Sequence, residues 1–291
     1  MLSILRWSRS LAPSRLPPPL SSLALPPRRR LAGGCLLWLA LCAVQPVGAA
    51  HPDGVPPLRV IRFAAEDWPP FVGPDLPDSG LSGALLQAVY GRLGIQLQIE
   101  YFPWKRTMEF GLHHPRYAGF LAVWRTPERE QLCHFSSSIG NTQTVLAFLK
   151  SAPVKAAGLA GLNKLRIGTV AGYSNGEQFD AMRQRGELTV DEGVNDETNL
   201  RKLLKQRVGA IVVERHVLQH LLASRRFSRA EAARIGSIDT LFKERSVHVC
   251  FKRDEQGLAQ QKAFNEAARE FDLGKIERAY WKDNARRVMA P

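Results

Sequence analysis

Residues 119–136 read GFLAVWRTPEREQLCHFS and carry the strongest indication of how this chain folds. An apolar run that favours a β-strand comes first, and a short polar segment follows it. Thr126 is a good helix N-cap, Pro127 a favourable first helical residue and Glu128 a favourable charge in a first turn. The pattern predicts a strand, a sharp turn and a helix start, with Arg129 in the first helical turn.

Strands and helices are predicted to alternate before this segment. Apolar patterning predicts strands at 58–64 and 96–101 and helices at 80–93 and 105–112. Together with the strand at 119–124 the order is β-α-β-α-β, which favours an α/β sheet covered by helices.

A second α/β lobe is expected to begin near residues 140–147, because a β-prone run at 141–150 is followed by small residues at 151–161. Predicted strands lie at 165–170, 210–213 and 246–251, and predicted helices at 196–206 and 254–281. Gly172-Tyr173-Ser174-Asn175 has the pattern of a turn and helix start, and Gly274 is expected to interrupt the last helix. The recurring order predicts a two-lobed α/β protein.

Residues 1–50 differ in composition from the rest and are interpreted as a secretory signal peptide. Three arginines at 28–30 precede an apolar run at 31–44 and then a stretch of small residues. This is the order of a signal peptide, and cleavage is expected after Ala49 or Ala50. The apolar run is shorter than the roughly 20 residues that a membrane-spanning helix needs, which disfavours a retained anchor.

Charge and cysteine content narrow the class of protein. Of 40 lysines and arginines, six lie in residues 1–50, which hold none of the 27 acidic residues, so without this segment the net charge falls from +13 to +7. The remaining basic residues are scattered, which argues against a nucleic-acid interface. Cys133 and Cys250 remain; an oxidising compartment would allow them to pair, but two cysteines do not make a disulfide scaffold, so free thiols are favoured and a bridge is the alternative.

Short motifs in a fixed order resemble the bacterial extracellular solute-binding proteins of family 3, the periplasmic receptors of amino-acid ABC importers. The motifs are Trp68-Pro69-Pro70-Phe71, Leu81-Ser82-Gly83, Pro103-Trp104, Thr126-Pro127-Glu128-Arg129 with Phe135-Ser136, Gly172-Tyr173-Ser174 and 274–281. The resemblance implies a periplasmic binding protein type II fold, with 51–143 and 247–291 in one lobe, 144–246 in the other and a cleft between them. It also implies a periplasmic monomer that uses no cofactor and passes a small solute to an inner-membrane permease.

The resemblance further implies which residues bind the ligand: Trp68, Trp104, Trp124, Thr126, Arg129, Tyr173, Ser174 and Glu214. Arg129 matches the arginine that binds a carboxylate through paired hydrogen bonds, and Glu214 the acid that pairs with an ammonium group. The tryptophans match aromatic cleft walls. Tyr173 and Ser174 lie in the turn whose N–H groups help to hold an anion.

Each of these residues has an ordinary structural alternative. Arg129 could be a surface residue of a first helical turn, Thr126 only a helix cap, and Glu214 a solvated carboxylate at a helix start. The tryptophans could be core residues, and residues 172–174 a simple turn between a strand and a helix.

One departure from the family pattern concerns the ligand. Ala122 and Trp124 stand where amino-acid receptors usually have small polar residues that help to hold the carboxylate. An indole at this position would fill or reshape the pocket. The ligand is therefore expected to differ from a standard amino acid or to bind in a different pose.

Two other functions fit the same features. A dehydratase on this fold would need a catalytic acid, for which Glu214 is conceivable, whereas a sensory module would report a solute to a membrane partner. His216 and His220 have i, i+4 spacing but lack the glutamate of a zinc protease motif, so solvent-facing histidines are expected and no metal site. The favoured prediction is a receptor without enzymatic activity.

Overall fold

The computed structural model describes residues 59–289. The predicted signal peptide at 1–50 and its cleavage site lie outside the described residues. Within the part that is described, no helix combines the length and the apolar character that a membrane span requires.

Strands and helices alternate along most of the described chain. In chain order the strands are β1 Arg59–Ala65, β2 Ile95–Tyr101, β3 Gly119–Trp124, β4 Cys133–Phe135, β5 Gly140–Thr142, β6 Thr144–Leu149, β7 Arg166–Val170, β8 Thr189–Gly193, β9 Ala210–Glu214, β10 Ile235–Ile238 and β11 Arg245–Lys252. The α-helices are α1 Leu81–Arg92, α2 Trp104–His113, α3 Pro127–Glu130, α4 Glu177–Gln184, α5 Asp196–Leu204, α6 Arg215–Ala223, α7 Arg229–Ala233, α8 Glu255–Ala268 and α9 Leu273–Met289.

Two mixed sheets define the two lobes. The first has the order β2-β1-β3-β11-β4, with β5 paired to β11, and the second has the order β10-β6-β9-β7-β8. The chain passes from the first sheet to the second between Thr142 and Thr144 and returns between Ile238 and Arg245. The α/β class, the two lobes and the two crossings are confirmed, whereas the lobe boundaries at 143 and 247 stay predictions.

Burial accounts for the strand sequences at the centre of each sheet. In β3, GFLAVW, all residues but one are buried, and in β9, AIVVE, all five are buried. Such continuous apolar runs are typical of strands that are covered on both faces. Both strands end at the cleft between the lobes, so they position the residues that follow them.

The helix expected at Gly172 begins later than the sequence predicts. Helix α4 starts at Glu177, after Gly176 at the N-cap. The Asp180 carboxylate accepts hydrogen bonds from the Ser174 hydroxyl at 2.7 Å and from the Asn175 N–H at 3.0 Å. These bonds hold the preceding residues in a turn instead of a helix.

The interruption of the last helix also lies elsewhere than predicted. Gly274 is inside α9, and the break falls between Ala268 and Leu273. The Asp272 carboxylate accepts a hydrogen bond from the Lys275 N–H at 2.9 Å, as a helix cap does. An acidic cap, and not glycine, therefore separates α8 from α9.

A disulfide bond joins Cys133 of β4 to Cys250 of β11, so the expectation of two free thiols is wrong. Their Cα atoms are 5.6 Å apart although 117 positions separate them in sequence. The two strands are antiparallel neighbours in the first sheet. Closing a loop of about this length stabilises a fold by roughly 4–5 kcal/mol in the chain-entropy model.

Candidate functional site

Four aromatic side chains meet in the cleft between the lobes: Trp68, Trp104 and Trp124 from the first lobe and Tyr173 from the second. Trp68 and Trp124 contact edge to face with ring centroids 5.5 Å apart, and Tyr173 contacts Trp104 at 5.5 Å and Trp124 at 5.7 Å. The three tryptophans are buried. They are therefore core residues by burial and cleft residues by position.

The loop after β1 holds Trp68 at the cleft. The backbone N–H of Trp68 donates to the Val72 carbonyl at 2.8 Å, and the indole ring stacks on the Phe71 ring with centroids 4.7 Å apart. The intervening Pro69–Pro70 peptide bond is cis. The Trp-Pro-Pro-Phe motif thus forms a tight turn that directs an indole towards the second lobe.

Trp124 follows an unusual backbone position in β3. Ala122 has φ of +59°, and the facing strand β11 shifts register between His248 and Val249. A left-handed alanine costs about 1–3 kcal/mol, and such positions cluster at functional sites. The Trp124 indole N–H donates to the Thr142 hydroxyl at 2.8 Å, which ties the ring to the first crossing between the lobes.

Arg129 is buried in this cleft, so its alternative as a surface residue is wrong. Only 7% of the residue is exposed. The Thr126 hydroxyl caps α3 by accepting from the Arg129 N–H at 3.2 Å. The guanidinium donates to the Trp124 carbonyl at 2.9 Å and to the Gly172 carbonyl at 3.3 Å, and it lies 5.1 Å from the Trp104 ring centroid.

The charge of Arg129 has no direct counter-ion in the part of the chain that the structure describes. No carboxylate oxygen there lies within 4.0 Å of it, and burial lowers the pKa of the guanidinium to about 10. At neutral pH it remains a cation held by two neutral carbonyl groups. A buried cation of this kind favours a bound anionic group, which would repay its desolvation.

A second arginine, Arg245, lies beside Trp124 and was not identified from the sequence. Its guanidinium carbon is 3.7 Å from the Trp124 ring centroid, and it donates to the Ser174 carbonyl at 3.1 Å and the Thr144 hydroxyl at 3.3 Å. Burial lowers its pKa to about 10, and nearby Arg129 acts in the same direction. Arg245 lies one residue before the strand predicted at 246–251 and is the first residue of β11, and a charge at a strand end gives no local sign that it will be buried.

Acidic residues lie on the other side of the aromatic cluster. Glu66 accepts a hydrogen bond from the Tyr173 hydroxyl at 2.5 Å, and burial raises the pKa of its carboxyl group to about 8, helped by Asp196. Burial and nearby Glu214 raise the pKa of Asp196 to about 7. Glu66 and Asp196 thus form an acidic end of the cleft, whereas the end with the two arginines also has the Asp180 carboxylate near both guanidinium groups. Sequence reasoning missed both Glu66 and Asp196.

Glu214 has a structural role at the start of α6. It is 1% exposed, and its carboxylate accepts from the N–H groups of His216 at 2.5 Å, Val217 at 2.9 Å and Gln143 at 3.3 Å. It is the N-cap of α6. The expected helix-start carboxylate is present, but it is buried instead of solvated, and its oxygens face N–H groups of its own protein.

The eight residues predicted to bind the ligand divide into two groups by position. Five of the eight, namely Trp68, Trp104, Trp124, Arg129 and Tyr173, line one cavity together with Glu66 and Ala122. Thr126, Ser174 and Glu214 do not line it. In the turn at 172–174 the Gly172 carbonyl, and not an N–H group, faces the cleft, where it accepts from Trp104 and Arg129.

The histidines of α6 do not form a metal site. Within residues 59–289 no group of three or more His, Cys, Asp or Glu side chains is arranged to hold a metal ion. His216 is partly exposed and stacks on Trp281 with centroids 5.7 Å apart. His220 is buried, so the expectation that both face solvent is wrong for this residue.

Comparison with known proteins identifies the fold. No protein-family model and no curated protein matches the chain. AbpA, an amino acid ABC transporter substrate-binding protein from Streptococcus pneumoniae bound to L-arginine, has 16% identity, covers 80% of this chain and 97% of its own, and gives a TM-score of 0.64. The GluR0 ligand-binding core from Nostoc punctiforme in complex with L-glutamate has 18% identity, covers 79% and 100%, and gives 0.63.

A third solved structure is AncCDT-1, an ancestral amino-acid-binding protein described as a precursor of cyclohexadienyl dehydratase. It has 14% identity, covers 77% of this chain and 94% of its own, and gives a TM-score of 0.60. These likenesses confirm, at the level of the fold, the resemblance to the substrate-binding proteins of amino-acid ABC transporters. The chain has the two-lobed periplasmic binding protein architecture.

Proposed function

We propose that this protein is a periplasmic receptor that closes its two lobes around a small zwitterionic solute of the amino-acid class. The single observation that carries the proposal is Arg129, a buried guanidinium without a carboxylate partner among the described residues. A ligand carboxylate would supply that partner through paired, charge-assisted hydrogen bonds. The stacked Trp104 ring covers one side of the same group.

The acidic end of the cleft supports a ligand that also carries a positive charge. Glu66 comes from the first lobe and Asp196 from the second, so a ligand ammonium group between them would join the two lobes electrostatically. Glu66 takes the role that the sequence assigned to Glu214. Because burial raises the pKa of the Glu66 carboxyl group to about 8, a bound cation would favour its ionised form.

The wider role follows from the fold and from the sequence. We propose that the mature chain is a periplasmic monomer, exported by the predicted signal peptide, that delivers its solute to an ABC permease of the inner membrane. The receptor itself carries out no reaction and needs no cofactor. A solute sensor for a membrane signalling partner would use the same cleft and the same closure.

The proposal is tested by a thermal-shift screen of the mature protein against amino acids, polyamines and small carboxylates. A ligand at 100 times its dissociation constant adds roughly 2.7 kcal/mol to stability, which is readily detected. Arg129→Ala should weaken binding by about 2–5 kcal/mol, because the ligand charge is then left buried and unpaired.

The matched control is Arg125→Ala in the same segment. Arg125 has a side chain that is 55% exposed and pairs with Glu130 outside the cleft. Its removal should leave affinity unchanged. Equal affinities of the wild type and the Arg129→Ala variant would contradict a carboxylate-binding role for Arg129.

A dehydratase is the second candidate, and Glu66 is the observation that favours it. A buried carboxyl group with a pKa raised to about 8 retains its proton at neutral pH and could act as a general acid. Incubation with prephenate or arogenate, followed by chromatography of the products, separates the two functions. Product formation that is lost in Glu66→Gln would favour the enzyme.

A further inference from the structure

The side chain of Tyr173 occupies the centre of the closed cleft. Tyr173 belongs to the turn after β7 in the second lobe, yet its ring lies against Trp104 and Trp124 of the first lobe. Its hydroxyl donates to Glu66, also of the first lobe. Tyr173 as a whole is partly exposed, whereas its hydroxyl group is buried. Burial raises the pKa of this hydroxyl well above the ordinary range, so the hydroxyl is a neutral donor.

With Tyr173 in this position, the cavity beside Arg129 is too small for an amino acid. The space open to the centres of water molecules is about 20 Å³, close to the minimum that a single water molecule needs. The aromatic side chains fill the rest. A solute that reaches Arg129 must therefore displace one of them, and Tyr173 is the one that comes from the opposite lobe.

Direct contacts between the lobes accompany this arrangement. The Trp104 indole N–H and the Arg129 guanidinium both donate to the carbonyl of Gly172, the residue before Tyr173. At Gly172 φ is +83°, and a Cβ atom would lie 3.3 Å from the Trp104 ring. The turn is thus fitted closely to the first lobe, and its contacts stabilise closure by protein groups alone.

We propose that Tyr173 is an internal competitor of the ligand: with the lobes closed its side chain occupies the ligand's place, it holds the cleft in this arrangement in solution, and it leaves before a solute can bind. The inference rests on the proposed function, since it concerns the same cleft. It differs from the sequence expectation, in which Tyr173 belongs to the ligand-binding residues. A side chain that competes lowers affinity, whereas one that contacts the ligand raises it.

The consequence for affinity follows from the linked equilibria. If the conformation with Tyr173 displaced is populated at about 10%, the apparent dissociation constant is about tenfold weaker than the intrinsic one. Removal of the Tyr173 ring makes the apparent dissociation constant equal to the intrinsic one. Tyr173→Ala should therefore bind its solute about tenfold more tightly than the wild type.

The first experiment needs no ligand. Small-angle X-ray scattering of the ligand-free wild type should give the radius of gyration of a closed form, and Tyr173→Ala should give a larger one. Acrylamide should quench tryptophan fluorescence more strongly in the variant, because Trp104 and Trp124 become accessible. An open ligand-free wild type, or identical scattering and quenching in the two proteins, would overturn the proposal.

The second experiment is calorimetric titration of L-arginine, L-glutamate and L-glutamine into the same proteins. Tyr173→Phe keeps the ring but loses the bond to Glu66, so its affinity should lie between those of the wild type and Tyr173→Ala. Tyr117→Phe removes another tyrosine-to-carboxylate bond, to Glu100 at 2.7 Å, and should leave affinity unchanged. Weaker or unchanged binding by Tyr173→Ala would overturn the competitor role.

The two proposals fail in different ways. If none of the three amino acids, and no compound of the wider screen, binds either protein, the proposed function fails. The scattering and quenching of the ligand-free proteins still decide whether Tyr173 holds the cleft closed. If a solute binds the wild type and Tyr173→Ala weakens it, the receptor function stands and Tyr173 is a ligand contact.

Discussion

The two lobes contain similar junctions between a strand and a helix. Each junction carries a charged residue, Arg129 in the first lobe and Glu214 in the second, but the two side chains make different contacts. In the first lobe β3 leads into α3, and the neutral hydroxyl of Thr126 is the helix cap. In the second lobe β9 leads into α6, and the carboxylate of Glu214 is itself the cap. The Arg129 guanidinium has no acceptor atoms and cannot serve as a cap, so its charge stays in the cleft, whereas the carboxylate of Glu214 accepts from backbone N–H groups.

The comparison shows that an acidic residue at a helix start is available to a ligand only when another residue satisfies the first N–H groups, whereas an arginine at such a position has no acceptor that those groups could use. Every helix begins with N–H groups that lack partners within the helix. A short acidic side chain at the N-cap position is well placed to accept from them. At the second junction, therefore, the use of Glu214 as the cap determines how its charge is occupied.

The largest expected effect tests the second junction. Glu214→Ala leaves one buried and two partly buried N–H groups without their acceptor, so the free energy of unfolding should fall by about 2–4 kcal/mol. Urea denaturation measures the change. Glu177→Ala, which removes an exposed acid from the first turn of α4, is the control and should change stability by no more than about 0.5 kcal/mol. Lost solute affinity at unchanged stability would instead assign Glu214 to the ligand.

A smaller effect is expected at the first junction. Thr126→Ala removes the cap hydroxyl of α3, and the free energy of unfolding should fall by about 1 kcal/mol. Thr126→Ser keeps an oxygen at the same position and should restore most of the stability. If the serine variant is as unstable as the alanine variant, the methyl group and not the hydroxyl is what stabilises this turn.

The smallest expected effect is a pH dependence of stability that arises from His216 at the second junction. The hydrogen bond to Glu214, whose Oε1 lies 3.2 Å from the His216 Nδ1, raises the pKa of His216 above 6.5. The folded state therefore favours the protonated ring, so this stabilisation is complete below pH 6.5 and is lost as the pH rises through the raised pKa. The side chain is 41% exposed, which limits the effect to less than about 1 kcal/mol.

Nuclear magnetic resonance titration of His216 measures that pKa directly, and urea midpoints between pH 5 and pH 8 measure the stability. In His216→Asn the corresponding fall in stability with rising pH should disappear. If it persists, another group is responsible for the pH dependence.

Local sequence was sufficient for the elements and for the first junction. The β3 strand matches its predicted bounds, and the cap at Thr126 agrees with the interpretation of 119–136. These features depend on residues that are close in sequence. The order of strands and helices also predicted the two-lobed fold, because that order restricts the ways in which the sheets can form.

The residues that sequence analysis missed depend on contacts across the cleft. Arg245 is 121 positions from Trp124 in sequence, and only the return of the chain to the first sheet brings the two side chains together. Glu66 is buried because Tyr173, a residue of the other lobe, covers it. Glu214 had two possible roles with the same local sequence; its position as the cap of α6 is now known, and its role in ligand binding stays a prediction.

The position of β11 has a consequence for the order in which the two lobes can be completed. This strand lies between β3 and β4 in the first sheet, yet it follows every strand of the second sheet along the chain. All strands of the second sheet are present once the ribosome has reached residue 238, whereas the first sheet lacks an inner strand until residue 252 has been made. The lobe whose synthesis begins first is therefore the last that can be finished.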